Sequence, residues 1–224
     1  MKRVYLIFLV LILSWFAVAP LFKPGFFSIH DDTQVARVFE MAKALKDGQF
    51  PVRFVANLGY GYGYPLYNYY APLPYYFGAF LNLLGFNLFI ATKLMFLAGI
   101  LLSAVFMYLL VREFWGDLGG VLAALFYLYA PYHALDIYVR GAVGEFWALA
   151  MLPWVFWEFA NLSKKTPPFR WRRIFRASVA YACLVLSHNL TALIATPFIL
   201  GWVVFWTLLR KENKLFTIYY LLFT

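Results

Sequence analysis

Residues 87–111 read NLFIATKLMFLAGILLSAVFMYLLV, a run whose only charge is Lys93. A helix needs about 20 apolar residues to cross the ~30 Å hydrocarbon core of a bilayer. A helix apolar on every face is stable only in the core of a large protein or in lipid, and this chain has 224 residues. The stretch is expected to span a membrane, and the whole chain agrees. Hydrophobic residues make up 64% of it and charged residues 13%, against about 45–50% and about 25% in soluble domains. The net charge of +9 does not point to nucleic acid, because Lys and Arg fall between the apolar runs and not on one patch. The lone cysteine, Cys183, lies inside an apolar run, cannot form an internal disulfide, and is expected to be a small core residue.

Outward from residues 87–111, further apolar runs cover 4–22, 118–132, 145–162, 174–188, 190–209 and 215 onward. The first follows Lys2-Arg3 and could be a signal peptide, since Ala17-Val18-Ala19 resembles a cleavage site. Pro20 after that site disfavours cleavage, so an uncleaved anchor is expected. The last run stops mid-span and is expected to continue beyond Thr224.

The stretch 71–86 could cross the bilayer or lie flat on it, and charge decides. If it lies flat, the cytoplasmic pieces carry twelve Lys or Arg residues, against Arg140 alone in the short outer loops. If it spans, Lys164, Lys165, Arg170, Arg172, Arg173 and Arg176 fall outside, against the positive-inside rule. The expected fold is all-α: about seven spans, the N-terminus cytoplasmic, and residues 23–86 forming a large outer loop. Within that loop Thr33–Lys46 places Val35, Val38, Phe39, Ala42 and Leu45 on one face, with Gln34, Arg37, Glu40 and Lys43 elsewhere. This spacing predicts an amphipathic helix at the membrane surface, with Gly48 as terminator. Pro72–Leu84 is a second flat helix. The spans 118–132 and 174–188 are short, which implies local thinning or ends that open into a cavity.

Polar chemistry gathers on the outer side. It consists of His30-Asp31-Asp32, then His133, Asp136, Arg140 and Glu145, then His188-Asn189. Ionisable groups at membrane depth are costly unless partnered or functional. The adjacent carboxylates Asp31 and Asp32 could supply a general base, hold a hard divalent cation such as Mg or Mn, or, for Asp32, cap the following helix. Asp136 and Glu145 could support that site or simply pair with Arg140. Lys93 could snorkel to headgroups or hold a phosphate. Eight tyrosines fall between Tyr60 and Tyr76. Tyr60, Tyr62 and Tyr64 could belong to an interfacial belt or stack on sugar rings. No Walker motif, Cys/His metal spacing or Ser-His-Asp order is visible.

The segments His30-Asp31-Asp32, Ala44 to Arg53, Asn57 to Pro65 and Tyr69 to Tyr76 resemble a family of bacterial membrane proteins called 6-pyruvoyl-tetrahydropterin synthase-related. That name is not an activity here, because a pterin synthase is a soluble zinc enzyme with histidine ligands. The layout is also similar to the GT-C glycosyltransferases, which share a first outer loop with juxtamembrane helices and an acidic motif after the first span. The resemblance implies transfer of a sugar from a polyprenyl-phosphate carrier to an acceptor outside the cytoplasm, at the bacterial plasma membrane. It places the base or metal ligand on Asp31 or Asp32, and any soluble C-terminal domain beyond Thr224.

The expected roles follow. Asp31 deprotonates the acceptor, Asp32 assists or binds a cation, and Glu145 and Asp136 support the site. Lys93 or Arg140 neutralises the departing phosphate. His30, His133, His188, Asn189 and the tyrosines line the substrate. The expected partners are the bilayer and a lipid-linked sugar donor, with no nucleic acid; protein partners are left open. The alternatives are a transporter or lipid flippase, which would want charges near the midplane and repeat symmetry, and a non-catalytic membrane subunit. The topology makes a direct prediction: a cysteine at position 168, with Cys183 removed, should label only from the cytoplasmic side of intact cells.

Overall fold

The computed structural model describes residues 2–162 and 170–209. The final apolar run and the Lys164-Lys165 segment with position 168 lie outside the described residues. Among those described, the chain is helical, with one isolated antiparallel bridge between Val55 and Tyr64.

The N-terminal apolar run is a bent helix. α1 (Lys2–Leu13) gives way to α2 (Trp15–Val18) and a 3-10 turn (Ala19–Phe22), with a 48° bend between them. The Ser14 hydroxyl bonds back to the Val10 carbonyl at 2.8 Å, the local competition by which serine bends helices. Two distant tyrosines take up carbonyls beside the bend. Tyr129 donates to Leu13 at 2.6 Å and Tyr138 to Ala17 at 2.5 Å. Val10, Ser14, Val18 and Leu21 are buried, a stripe at helical spacing, while Val4, Phe8, Ile12 and Phe16 are exposed.

The outer segment folds into α3 (Gln34–Lys46), α4 (Leu66–Tyr69) and α5 (Leu73–Leu83). At 11 residues, α5 is about 16 Å long, too short to cross the ~30 Å core. It buries Tyr75, Gly78 and Ala79 and exposes Phe77, Phe80 and Leu83. A Cβ on Gly78 would come within 2.9 Å of Val38, so glycine sets the close approach of α3 to α5. The buried face of α3 departs from the apolar face expected. Gln34 and Glu40 are buried, Arg37 is half-buried, and Phe39 is exposed. Each buried polar group has a protein partner, so the helix turns a polar seam inward.

α6 (Leu88–Leu128) runs for 41 residues, but Trp115 and Gly116 leave the helical region, Gly116 with φ +70. Twelve residues of straight helix would separate Tyr108 from Gly120 by ~18 Å. Yet a Cβ on Gly120 would lie 2.9 Å from the Tyr108 carbonyl oxygen and from Arg112 Cβ. α6 therefore doubles back on itself, and an Arg112–Asp117 ion pair at 2.5 Å closes the turn. The reversal falls within the loop expected at 112–117.

α7 (Pro131–Leu135) and a π-helical turn (Asp136–Arg140) lead into α8 (Val143–Leu162). α9 (Arg170–Ser187) and α10 (Asn189–Leu209) complete the bundle. α8 packs between α6 and α9, and α10 packs on both α8 and α9. α10 exposes Leu190, Leu193, Ile194, Phe198 and Leu208, a surface suited to lipid. Among the described residues, Leu88–Leu128 and Asn189–Trp206 are long and apolar enough to cross a membrane, and the bent N-terminal pair adds a third candidate.

The packing predicts opposite effects at two helical glycines. A Cβ on Gly99 would lie 2.5 Å from the buried Phe146 ring, so Gly99→Ala should lower stability by roughly 1–3 kcal/mol of overpacking, partly offset by helix propensity. Gly201 has nothing within 4 Å, so Gly201→Ala should raise stability by up to ~1 kcal/mol. Thermal unfolding in detergent reads both. Equal stability of the two variants would contradict the α6–α8 contact.

Candidate active site

The site is built at a helix C-terminus. The π-helical turn 136–140 ends at Gly141, which is left-handed with φ +67. Such ends leave carbonyls without intrahelical donors, and here another part of the chain supplies them. His30 N donates to Val139 O at 2.8 Å, Asp31 N to Arg140 O at 2.9 Å, and Gln34 Nε2 to Gly141 O at 2.7 Å. Gly141 is required twice over. Beyond its φ, a Cβ there would lie 2.6 Å from Ile29 and 3.2 Å from the Asp31 carbonyl oxygen. π turns are rare and concentrate at functional sites.

This docking fixes Asp31. Its Oδ1 accepts from Thr33 at 2.7 Å, and its Oδ2 accepts from Gln34 at 3.0 Å and Arg37 at 2.7 Å. Arg37 also lies 4.3 Å over the Tyr70 ring, and Tyr75 donates to Gln34 at 2.8 Å. Burial works against the Arg37 charge, but Tyr75 and Asp31 outweigh it and hold the group protonated. Asp32 is exposed and makes no side-chain bond among the described residues. It does not cap α3, whose first turn has no side-chain cap.

On the other strand of the docking, Arg140 bridges two carboxylates, Asp136 at 2.5 Å and Glu145 at 2.9 Å. The Tyr132 hydroxyl donates to Glu145 at 2.5 Å and accepts from Arg140 at 2.9 Å. The Arg140 charge is reinforced chiefly by its bond to Glu145. Asp136 is fully buried, and its Oδ2 has no partner among the described residues. Burial pushes its carboxyl up to about 6, with the Glu145 charge adding and Arg140 opposing. The 187–191 turn closes the third side. A Cβ on Gly144 would lie 2.9 Å from the Ser187 carbonyl oxygen and 3.7 Å from the His188 ring.

The sequence-derived candidates thus divide. Asp31, Asp136, Arg140, Glu145 and His188 come together at one end of the bundle, with Asp32 and exposed His30 on the same docked segment. His133 does not join them. It is buried, packed edge-on against Tyr127 at 4.6 Å and Phe146 at 5.7 Å, and its Nδ1 has no partner among the described residues. Burial pushes it down to about 4. Lys93 donates to the Lys23 carbonyl at 2.6 Å and ties α6 to the chain after the first helix. His188 caps α10, its Nδ1 accepting from the Thr191 backbone at 3.3 Å, while Asn189 is exposed.

Tyr60 and Tyr62 stand fully exposed at a loop tip, and Tyr64 closes the bridge to Val55 at 2.8 Å and 2.9 Å. Glu40 anchors this loop by accepting from the Asn57 side chain at 2.7 Å. Thr33, Gln34, Arg37, Tyr75 and Tyr132 are site residues the sequence reading did not select. The spacing of Asp31, Gln34 and Arg37, three apart on one helical face, was the available signal for two of them.

Among the described residues, no three His, Cys, Asp or Glu side chains are grouped to hold a metal ion. Both Asp31 oxygens already serve protein donors, whereas the Asp32 carboxylate is exposed and makes no side-chain bond among the described residues.

A family model described as "6-pyruvoyl-tetrahydropterin synthase related domain; membrane protein" matches residues 67–223. The chain belongs to this membrane-protein family. It is also similar to an uncharacterised protein of Lactococcus lactis subsp. cremoris (strain MG1363), 27% identical over 212 residues, covering 92% of this chain and 34% of that protein. The chain spans about a third of the length of that curated relative. No solved structure matches.

The two buried groups oppose each other in pH. Asp136 rises from an ordinary 3.8 to about 6 on folding, so it contributes stability at low pH that is lost as pH rises through 6. His133 falls from 6.5 to about 4, so its contribution is present above 6.5 and is lost as pH falls through 4. Asp136→Asn should make the melting temperature climb more steeply from pH 4 to 6.5 than in wild type, and His133→Phe should make it fall. Three parallel curves would contradict the burial of both groups.

Proposed function

We propose that this chain is the membrane module of a glycosyltransferase that moves a sugar from a polyprenyl-phosphate carrier to an acceptor outside the cytoplasm. One observation carries the reading: the acidic segment after the first helix is docked by its backbone onto the turn that holds the Asp136–Arg140–Glu145 cluster. Acceptor activation and leaving-group stabilisation need opposite charges side by side, and this docking supplies them. In this reading the module has the seven-span, GT-C-like arrangement, with the N-terminus cytoplasmic and the site outside.

The geometry divides the roles of the acidic pair differently from the sequence expectation. Asp31 is held by three donors, Thr33, Gln34 and Arg37, which occupy both its oxygens and leave it less open to an incoming hydroxyl. It is better suited to position the segment. Asp32 is accessible and unpaired, and accessibility to the acceptor proton comes first for a general base. Asp32 therefore takes the acceptor hydroxyl proton as the oxygen attacks the sugar's anomeric carbon and the lipid phosphate departs with the bonding electron pair. Arg140 offers positive charge near that departing phosphate, and Glu145 and Asp136 hold Arg140 in place.

Reconstituted full-length protein supplied with a labelled polyprenyl-phosphate sugar tests this. Asp32→Asn should lower transfer by about 10²–10⁴-fold, the usual effect of losing a base, with an unchanged melting temperature. Asp31→Asn should lower both, because it leaves half-buried Arg37 without its carboxylate. Full transfer by Asp32→Asn would refute the assignment.

A further inference from the structure

α9 opens on a basic and aromatic stretch, Arg170-Trp171-Arg172-Arg173-Ile174-Phe175-Arg176, and residues 163–176 contain no acid. The fold gives these arginines different tasks. Arg176 Nε and Nη2 reach Glu158 Oε1 on α8 at 3.1 Å and 2.5 Å. Glu158 is buried, and Trp154 donates to the same oxygen at 3.3 Å. Losing Arg176 would strand a buried carboxylate, so that pair is structural. Arg173 is buried and donates to the Asn161 carbonyl at 3.3 Å. Arg172 differs from both. It is exposed and makes no side-chain bond among the described residues.

The rings around Arg172 are exposed as well. Trp171 has 77% of its surface accessible and Phe175 has 69%. Trp171 and Phe175 are four apart, as are Arg172 and Arg176, so the four side chains share one side of the first helical turns. Arg176 keeps 46% of its side chain exposed despite its bond to Glu158. Large rings beside an uncompensated cation have no purpose in bulk water. At a bilayer face they do: tryptophan sits at headgroup depth, phenylalanine reaches the acyl chains, and arginine matches phosphate oxygens with charge-assisted bonds. The helix N-terminus adds positive potential.

We propose that Trp171, Arg172, Phe175 and Arg176 bind the headgroup of an anionic phospholipid. The phosphate lies between the two guanidiniums, and the rings seat at the boundary between headgroups and acyl chains. The site lies at the opposite end of the 18-residue α9 from His188, about 18–26 Å away along the helix, and does not depend on glycosyl transfer.

The test places the full chain in nanodiscs of phosphatidylcholine with or without phosphatidylglycerol, and native mass spectrometry counts the lipids retained. Wild type should enrich phosphatidylglycerol about fivefold over Arg172→Gln, equivalent to about 1 kcal/mol for one arginine near an anionic surface. Arg172→Lys should keep most of the enrichment, and Trp171→Ala should lose part of it. In phosphatidylcholine alone, Arg172→Gln should melt with wild type, which separates lost lipid from lost fold. Equal enrichment in wild type and Arg172→Gln overturns the site. So does inorganic phosphate that stabilises the protein in phosphatidylcholine as much as phosphatidylglycerol does, since the ligand would then be a free anion.

Discussion

Three backbone carbonyls at the end of a π turn, those of Val139, Arg140 and Gly141, need hydrogen-bond donors, and the segment from His30 to Gln34 provides them. Buried carbonyls without partners are costly, so this docking is an obligation of the fold as much as a functional device. It closes the outer segment onto the helical bundle across more than a hundred residues of chain. It also aims the Asp31 carboxylate, because Gln34 bonds both to Gly141 and to Asp31. The acidic pair and the Arg140 cluster share one scaffold for this reason.

The rest of the outer segment relies on the same habit of satisfying polar groups inside the protein. Glu40 is buried and accepts from Asn57, and the Tyr67 hydroxyl donates to the Arg37 carbonyl at 2.7 Å. The Tyr76 hydroxyl accepts from Val52 N at 2.8 Å. Such bonded networks add a single polar arrangement to short elements that also pack through Val38, Met41, Tyr75 and Ala79. The aromatic run between Tyr60 and Tyr76 thus divides. Tyr67, Tyr75 and Tyr76 are structural, and Tyr60 and Tyr62 are presented outward.

Much of the helical layout was legible because its signals are local. Apolar runs gave the long helices, the polar interruption at 112–117 marked the reversal inside α6, and the amphipathic spacing located α3 to within a residue. Pro72 marked the start of α5, and the charge distribution kept that short helix from being read as a span. What could not be read depends on partners distant in sequence. Nothing near His133 announces that its ring packs between Tyr127 and Phe146. Nothing near Lys93 announces that its ammonium ties down the Lys23 carbonyl. The polar face of α3 seemed destined for water because amphipathic patterns assume an apolar interior, and this interior carries donors and acceptors placed by other segments. The acidic pair was found from its adjacency and its place after the first apolar run, but that Asp31 is bonded and Asp32 is free needed the positions of Thr33, Gln34 and Arg37.

The bend in the first helix has a mechanical meaning. Tyr129 grips the Leu13 carbonyl and Tyr138 grips the Ala17 carbonyl, one bolt on each side of the Ser14 break. Tyr138 lies within the π turn itself, and Tyr129 lies just before α7. The first helix is thereby bolted to the same stretch of chain that carries the Asp136–Arg140 turn, and its bend is held from outside the helix by two phenolic hydroxyls. Removing either hydroxyl would leave a main-chain carbonyl beside the bend without its side-chain donor, so the angle of the first helix is a property of residues more than a hundred positions away.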